Sequence, residues 1–318
     1  MKKKALGSTG IQVSEIAFGG VEIGMPYGIG VNSEADMLPE TAAIALLHEA
    51  LDGGINFFDT ARMYGNSEQI MGKAFHDRRQ SVVLCSKCRH LRDVAGKLPP
   101  DNVLKQLIHT SLQESLASLQ TDYLDVYMLH YGDAEILANP TIAAVFSGLQ
   151  QSGVVRAIGL SVYTPKETAL ALKAGIWEVI QLPFNLLDQR QAVHFAAAEE
   201  QGTAIVVRSV LCKGLLSDRA KQLHPALDKV AHHIAGYNEL LKDSAMDLPG
   251  LATRFALSFD AVSSILVGID RSIYLQQAVK TAAGPVPPAA IIDRARELAY
   301  PDPEFLNLHH WHQMGWLP

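Results

Sequence analysis

Residues 123–130 read Tyr-Leu-Asp-Val-Tyr-Met-Leu-His, a short run of large apolar side chains that ends in a histidine. A run that is nearly continuous in apolar residues is typical of a strand in a parallel sheet whose outer face is covered by helices. Comparable runs recur along the whole chain. We predict eight strands: Glu15–Gly20, Ile55–Thr60, Ser81–Lys87, Leu124–His130, Ala157–Val162, Val179–Asn185, Thr203–Ser209 and Ser263–Ile269.

Segments with the apolar spacing of amphipathic helices lie between most of these strands. Thr164-Pro165 has the pattern of an N-cap followed by proline at the first helical position, and Gly175 and Gly202 are typical of C-terminal stops. The helical segments that we predict are Thr41–Leu51, Val103–Leu119, Thr141–Leu149, Lys166–Lys173 and Gln191–Glu200.

The alternation of eight strands with helices in 318 residues predicts a (β/α)8 TIM barrel, with residues 1–318 forming one α/β domain. A doubly wound sheet is disfavoured because the dinucleotide signature G-x-G-x-x-G is absent. Residues 6–11, Leu-Gly-Ser-Thr-Gly-Ile, predict an N-terminal hairpin turn, which we place as a plug across the barrel bottom. The tail Pro301–Pro318 has no helical period, so we expect a C-terminal loop over the barrel mouth, with Trp311 and Trp316 in a wall of the substrate pocket.

Composition excludes several classes of protein. The chain has 27 Lys plus Arg against 33 Asp plus Glu, spread along its length, so we expect no nucleic-acid partner. No run of about 18 apolar residues occurs, and glycines and hydroxyl residues interrupt the segment after the basic N-terminus, so we expect neither a membrane span nor a secretion signal. Three cysteines do not form a disulfide framework. These features predict a soluble cytoplasmic protein, and we take a monomer as the default.

Two groups of potential metal ligands have simpler interpretations. Cys85 and Cys88 form a C-x-x-C, the pattern of a redox pair or half of a zinc site, but no second pair complements it, so we favour free cysteines. His309, His310 and His312 lie close together in the tail without acidic or cysteine partners, and we predict no metal there.

Four residues that can ionise or transfer protons fall at the ends of consecutive predicted strands. Asp59 ends the second strand, Tyr64 follows it, Lys87 ends the third and His130 ends the fourth. Taken singly, each is explained by a turn, a packed ring, a solvated strand end or a core histidine. Because the carboxyl ends of barrel strands meet at one face, their combination predicts a catalytic site.

The chain resembles the aldo-keto reductase family over nearly its whole length. The most specific match is residues 58–68, Phe-Asp-Thr-Ala-Arg-Met-Tyr-Gly-Asn-Ser-Glu, which is similar to the family's D-T-A-x-x-Y-G-x-S-E block. Residues 123–130 resemble its fourth strand, and residues 158–161, Ile-Gly-Leu-Ser, its fifth. The pattern Ser209-x-Leu211-x-x-Gly214-Leu215-Leu216 resembles the loop after the seventh strand.

The resemblance implies hydride transfer between a nicotinamide cofactor and the carbonyl of an aldehyde, ketone or sugar, with Tyr64 as the general acid. A phenol with a pKa near 10 needs a neighbouring cation to release its proton at neutral pH, and Lys87 is that cation. Asp59 would keep Lys87 charged and positioned, while His130 would orient the substrate carbonyl.

The resemblance also implies a set of cofactor-binding residues, with departures. Ser161 and Gln181 match the family's carboxamide contacts, but Val162 stands where the family has Asn. Arg208 stands where an aromatic side chain usually stacks on the nicotinamide; it either stacks and favours an anionic ligand or pairs with a nearby carboxylate. The further positions implied are Ser209, Leu211, Gly214, Leu215, Gly268, Asp270, Arg271, Ser272 and Gln277.

The adenosine end gives conflicting signals about the cofactor. Arg271 and Ser272 favour a 2′-phosphate, whereas Asp270 favours a ribose hydroxyl, and Gln277-Ala278 replaces the family's Glu-Asn pair. NADP is therefore the default and NAD remains possible. Two alternatives stay open: an enzyme with retained cofactor that catalyses epimerisation or elimination, and a non-catalytic cofactor-binding protein.

Overall fold

The protein is described by a computed structural model that covers residues 1–31, 33–220 and 223–317, and the side chain of His309 lies outside this description. The predicted barrel is confirmed. Eight parallel strands form a closed ring: β3 (Ile16–Gly19), β4 (Phe57–Asp59), β5 (Val83–Lys87), β6 (Leu124–Leu129), β7 (Val155–Ser161), β8 (Val179–Pro183), β9 (Ala204–Arg208) and β10 (Val262–Gly268). They follow one another around the ring in chain order, and β10 pairs with β3 to close it.

Helices cover the outer face of the ring. Thr164 caps its helix by accepting from the backbone N–H of Glu167, and Gly175 ends the same helix in the left-handed region, both as predicted. The predicted helix Gln191–Glu200 is instead a 3-10 turn, Arg190–His194, followed by a short α-helix. The helices are α1 (Val21–Gly24), α2 (Glu40–Asp52), α3 (Ser67–Phe75), α4 (Asp101–Leu119), α5 (Ala134–Ala138), α6 (Pro140–Gln151), α7 (Pro165–Ala174), α8 (Phe195–Glu200), α9 (Asp228–Leu240), α10 (Leu248–Leu257), α11 (Ser272–Ala283), α12 (Ala289–Glu297) and α13 (Leu308–Gln313).

Alternate strand residues divide the core into two layers. In β6, Val126 and Met128 belong to the cluster inside the ring, whereas Tyr127 and Leu129 belong to the larger cluster between ring and helices. This alternation follows from the two-residue period of a strand. A β-strand that is buried on both faces therefore explains the nearly continuous apolar pattern of residues 123–130.

The polar exception in that strand, Asp125, links three neighbouring elements. Its Oδ2 accepts from the backbone N–H of Leu84 at 2.9 Å and from Arg79 at 2.8 Å, and its Oδ1 accepts from Arg156 at 2.6 Å. A buried carboxylate is tolerated here because hydrogen-bond donors and two guanidinium groups satisfy both oxygens.

The N-terminal hairpin closes the bottom of the barrel. Strands β1 (Lys3–Ala5) and β2 (Gln12–Ser14) pair antiparallel, as predicted. Leu6 and Ile11 from their turn are buried in the cluster inside the ring. Gly7 has φ +54°, and a Cβ there would lie 2.4 Å from the carbonyl oxygen of Gly202, so the turn packs directly on the chain that enters β9.

The C-terminal tail contains a helix that its sequence did not indicate. We predicted a loop over residues 301–318, whereas Leu308–Gln313 forms α13 and Pro318 lies outside the described residues. The backbone N–H of Tyr300, just before the tail, donates to the carbonyl of Leu187 at 2.9 Å, which ties the start of the tail to the segment that follows β8. Trp311 is fully buried, so the tail packs as part of the core.

Candidate active site

A cavity of about 320 Å³ opens where the strands end. Its wall includes Asp59, Tyr64 and His130 near one end and reaches Gln277 and Thr281 on α11 at the other. A cavity of this size is in the range of small-molecule sites. No described residue of the tail lines it, so the predicted contribution of Trp311 and Trp316 to a pocket wall is wrong.

Asp59 and Lys87 form a buried ion pair at this end of the barrel. Lys87 Nζ lies 2.6 Å from Asp59 Oδ2 and 3.0 Å from the carbonyl oxygen of Thr60, and the Lys87 side chain is fully buried. Burial alone would lower the pKa of Lys87, but attraction by Asp59 and Tyr64 outweighs it and raises the pKa above its ordinary value. Lys87 therefore stays a cation, although it lies behind the cavity wall.

The second oxygen of Asp59 is also occupied. Gln181 Nε2 donates to Asp59 Oδ1 at 2.9 Å, and both side chains line the cavity. The resemblance assigns Gln181 to the cofactor carboxamide. The structure adds an interaction that the sequence did not reveal, because nothing in the sequence relates positions 122 residues apart.

Tyr64 lies next to this cation. The distance from Lys87 Nζ to the centre of the Tyr64 ring is 4.8 Å. Burial raises the pKa of Tyr64, and attraction by Lys87 lowers it without cancelling the effect of burial, so the net direction is upward. Tyr64 is therefore a protonated phenol at neutral pH, with a cation placed to stabilise its phenolate.

His130 completes the group as a neutral ring. It meets the Tyr64 ring edge to face at 5.4 Å between centroids and stacks on His90 at 4.8 Å. Burial and then the positive charge of Lys87 lower the pKa of His130 to about 2. Its buried Nδ1 has no hydrogen-bond partner among the described residues, so the ring retains hydrogen-bonding capacity. His90 was not predicted from the sequence.

The segment after β4 is held in shape by contacts between its own residues and α1. Gly65 has φ +53°, and a Cβ there would lie 2.0 Å from the carbonyl oxygen of Gly24, so glycine is required. Thr60 Oγ1 donates to Ser67 Oγ at 2.8 Å, and Ser86 Oγ donates to Glu68 at 2.6 Å. These contacts account for Thr60, Gly65, Ser67 and Glu68 in the block at residues 58–68.

Arg208 lines the cavity at the end of β9. Its guanidinium lies 4.2 Å above the Tyr163 ring and donates to the Val162 carbonyl at 3.0 Å and to Ser161 Oγ at 3.4 Å. Within the described part of the chain it forms no ion pair, so the alternative of a carboxylate partner is wrong. Val162, which stands where the family has Asn, therefore contributes its backbone oxygen to holding Arg208.

The loop after β9 lines the cavity and contacts the segment after β3. Ser209 and Lys213 have φ of 59°, and the carbonyl of Lys213 accepts from the backbone N–H of Ile29 at 3.1 Å. Ser209, Leu211 and Gly214 line the cavity, whereas the side chain of Leu215 is buried beneath the loop.

Asp270 forms an ion pair that sequence analysis did not anticipate. Arg219 Nη2 lies 2.6 Å from each oxygen of Asp270, and its guanidinium stacks over the ring of Tyr274 at 4.8 Å. All three residues line the cavity. Arg219 gave no signal in the sequence, because it lies in an irregular segment without periodicity.

The other predicted adenosine-end residues separate into two groups. Gly268 and Gln277 line the cavity. Arg271 and Ser272 do not line it; both are exposed, and Ser272 Oγ donates to Glu49 at 2.7 Å.

Glu22 and Tyr27 are further cavity residues that sequence analysis missed. Both follow the first barrel strand, β3, and residues that follow the carboxyl ends of barrel strands face the active site. Glu22 Oε2 is buried without a hydrogen-bond partner among the described residues.

No metal centre is found among the described side chains, which do not include that of His309. Among residues 1–31, 33–220 and 223–317, no cluster of His, Cys, Asp and Glu has a ligand arrangement. Cys85 packs inside the ring and Cys88 outside it, both as free, buried thiols, and burial raises the pKa of Cys88 to about 12. No helix of the described chain is long and apolar enough to span a bilayer.

The closed (β/α)8 barrel thus brings Asp59, Tyr64, Lys87 and His130 together where its strands end. The sequence model of the Aldo/keto reductase family matches residues 15–292. The uncharacterized oxidoreductase YqkF of Bacillus subtilis (strain 168) is 28% identical over 89% of this chain and 91% of its own. The NADH-specific methylglyoxal reductase of Escherichia coli (strain K12) is 31% identical over 68% of this chain and 69% of its own.

Solved structures agree with the sequence comparisons. The holo form of the aldo-keto reductase AKR11C1 from Bacillus halodurans superposes with a TM-score of 0.79 at 29% identity, covering 94% of this chain and 96% of its own. The chain therefore belongs to the aldo/keto reductase family, whose members are nicotinamide-dependent oxidoreductases.

Proposed function

We propose that this protein reduces an aldehyde or ketone, or oxidises the corresponding alcohol or sugar, with Tyr64 as the general acid or base. The observation that carries the proposal is the position of the buried Lys87–Asp59 pair beside the Tyr64 ring, with Lys87 Nζ 4.8 Å from its centre. A fixed cation at this distance stabilises the phenolate that forms when Tyr64 gives its proton to the carbonyl oxygen.

The residues around the cavity fit a nicotinamide dinucleotide. Arg208 and Lys213 form no ion pair among the described residues and provide positive charge along the wall, as a ligand with a diphosphate requires. His130 and Glu22 also line the cavity, and each has a buried polar atom without a hydrogen-bond partner among the described residues. When bound, the nicotinamide supplies or accepts the hydride. Ser161 and Gln181 would hold the carboxamide, and the described loop residues after β9 and β10 would hold the phosphates and adenosine.

The remaining roles follow from charge and position. His130 is neutral, so it offers a hydrogen bond to the substrate oxygen without competing with Tyr64 as a proton source. Asp59 holds Lys87, and Gln181 holds Asp59. The cation Arg208 at the end of β9 favours an anionic or reduced ligand over the positively charged oxidised ring.

We propose NADP as the cofactor, with NAD as the alternative. Arg271 is exposed and unpaired among the described residues, and is thus available for a 2′-phosphate. The carboxylate of Asp270, which would repel such a phosphate, is already neutralised by Arg219. We further propose a monomer in the cytoplasm, a reducing compartment in which Cys85, Cys88 and Cys212 remain thiols.

The test is a comparison of the protein with its Tyr64→Phe variant. Fluorescence titration with NADPH and NADH measures cofactor binding, and a panel of aldehydes, ketones and sugars measures turnover. Loss of the general acid is expected to lower kcat by at least two to three orders of magnitude, roughly the contribution of such a group, with the cofactor Kd almost unchanged. Equal turnover by the two proteins, or a large rise in Kd in the variant, would contradict the role of Tyr64.

A further inference from the structure

Glu22 lines the cavity, and its carboxyl group forms no ion pair with a described residue. Its Oε2 is buried and has no hydrogen-bond partner among the described residues. The nearby cation, Arg219, directs one nitrogen to both oxygens of Asp270 at 2.6 Å each. Glu22 therefore lies beside an ion pair that is already complete.

Packing against Gly268 holds the carboxyl group in place. A Cβ built on Gly268 would lie 1.8 Å from Glu22 Oε1 and 2.6 Å from its Cδ, so the carboxyl group fills the space that a side chain at the end of β10 would occupy. Both residues line the same cavity. The carboxyl group of Glu22 can therefore occupy this place only because residue 268 has no side chain.

The charges that face Glu22 come from several elements. Asp59 lies at the end of β4, Arg219 follows β9, Asp270 follows β10, and the phenol of Tyr27 follows Glu22 on the same segment. Burial raises the pKa of Glu22 to about 8, and the negative charges of Asp270 and Asp59 act in the same direction, against its own backbone amide and Arg219. At neutral pH the group is therefore mostly a neutral acid that can donate a hydrogen bond.

We propose that the protonated carboxyl group of Glu22 donates a hydrogen bond to a phosphate oxygen of the bound dinucleotide, and that its ionisation weakens cofactor binding. This inference rests on the proposed function, since it assumes a nicotinamide dinucleotide in the cavity. Loss of the proton to solvent removes the donor and places a second negative charge against the diphosphate. Glu22 is thus a cofactor-binding residue that makes affinity depend on pH.

The experiment is a fluorescence titration of the whole protein with NADPH and with NADH at intervals from pH 7 to pH 9.5. Three proteins are compared: the natural chain, Glu22→Gln, and Glu199→Gln as a control that makes the same chemical change on the exposed end of α8. The diphosphate and the 2′-phosphate, with a pKa of about 6, are ionised over this range. Unfolding in urea at pH 7 verifies that each variant is folded.

The Kd of the natural protein and of Glu199→Gln is expected to rise about tenfold per pH unit above pH 8, as binding to one protonated group requires. Glu22→Gln keeps a donor and cannot ionise, so its Kd is expected to stay within about twofold. If the Kd of Glu22→Gln rises with pH as steeply as that of the natural protein, or if the Kd of the natural protein does not change with pH, this inference is wrong, whereas the proposed function still stands. Absence of binding of either nucleotide at pH 7 overturns the proposed function and this inference with it.

Discussion

The side-chain amide of Gln181 donates a hydrogen bond of 2.9 Å to Asp59 Oδ1 from the opposite side of the barrel. Strands β4 and β8 lie four places apart in a ring of eight, so this bond crosses the barrel mouth. Together with the bond from Lys87 to Oδ2, it satisfies both oxygens of a carboxylate that is almost fully buried. Asp59 is consequently held from two sides.

Replacing Gln181 by Met should therefore lower both stability and turnover. One buried oxygen of Asp59 loses its donor, which should cost about 1–3 kcal/mol of the free energy of unfolding measured in urea. Because Asp59 positions Lys87, we also expect kcat to fall by roughly tenfold. Gln276→Met, the same change on the exposed face of α11, serves as the control and should alter neither quantity. An unchanged kcat in a less stable Gln181→Met protein would restrict Gln181 to a structural role.

The ion pair between Asp59 and Lys87 predicts different results for single and double variants. Lys87→Met leaves a buried carboxylate without its cation and should reduce the free energy of unfolding by about 3–5 kcal/mol. Adding Asp59→Asn removes the unpaired charge, so stability should largely return. Turnover should stay at least two orders of magnitude below that of the natural protein, because Tyr64 has lost its cation. Recovery of kcat in the double variant would refute the role of Lys87.

The lowered pKa of His130 predicts a loss of stability in acid. The folded state holds this ring neutral down to about pH 2, whereas the unfolded chain takes up a proton near pH 6.5. The unfolded state therefore binds more protons below pH 6.5, and stability falls as the pH is lowered. The free energy of unfolding in urea should therefore fall between pH 7 and pH 4.5, and this fall should be smaller by roughly 2.5 kcal/mol in His130→Gln, since glutamine does not titrate. The exposed His76→Gln should behave like the natural protein; equal pH slopes in all three would contradict a neutral His130.

Glu22 predicts the opposite dependence on the alkaline side. Its pKa is raised from 4.5 to about 8, so between these values the folded state binds more protons than the unfolded state, and stability falls as the pH rises. In the absence of cofactor, Glu22→Gln should be more stable than the natural protein by about 4 kcal/mol at pH 7.5. The difference should vanish near pH 4.5, and Glu199→Gln should show none. A Glu22→Gln protein that is no more stable at pH 7.5 would show that the carboxyl group is not destabilised by burial.

Recognition of the 2′-phosphate can be assigned by a charge deletion. Arg271→Ala should raise the Kd of NADPH about tenfold, equivalent to roughly 1.4 kcal/mol, and change the Kd of NADH less than twofold. Arg294→Ala, on the exposed face of α12, controls for a general loss of positive charge. Equal weakening of both nucleotides, or none, would exclude a phosphate contact by Arg271.

The sequence alone predicted the barrel because each strand carries its own local evidence. A strand buried on both faces must be apolar at nearly every position, and eight such runs separated by helical periods allow few other architectures. The same rule, that strand ends meet at one face, predicted that Asp59, Tyr64, Lys87 and His130 converge, and the structure brings them together. The short helix Leu308–Gln313 was missed because burial of Trp311, a tertiary contact, stabilises a segment without helical periodicity.

What only the tertiary structure decided is how the charges are paired. Three contacts join positions from 51 to 246 residues apart, and no local pattern in the sequence relates them. They are the hydrogen bond of Gln181 to Asp59, the ion pair of Arg219 with Asp270, and the packing of Glu22 against Gly268. Composition and periodicity report what a residue does within its own strand or helix. The partner, the burial and hence the protonation state of a side chain depend on which other strands the closed ring brings beside it.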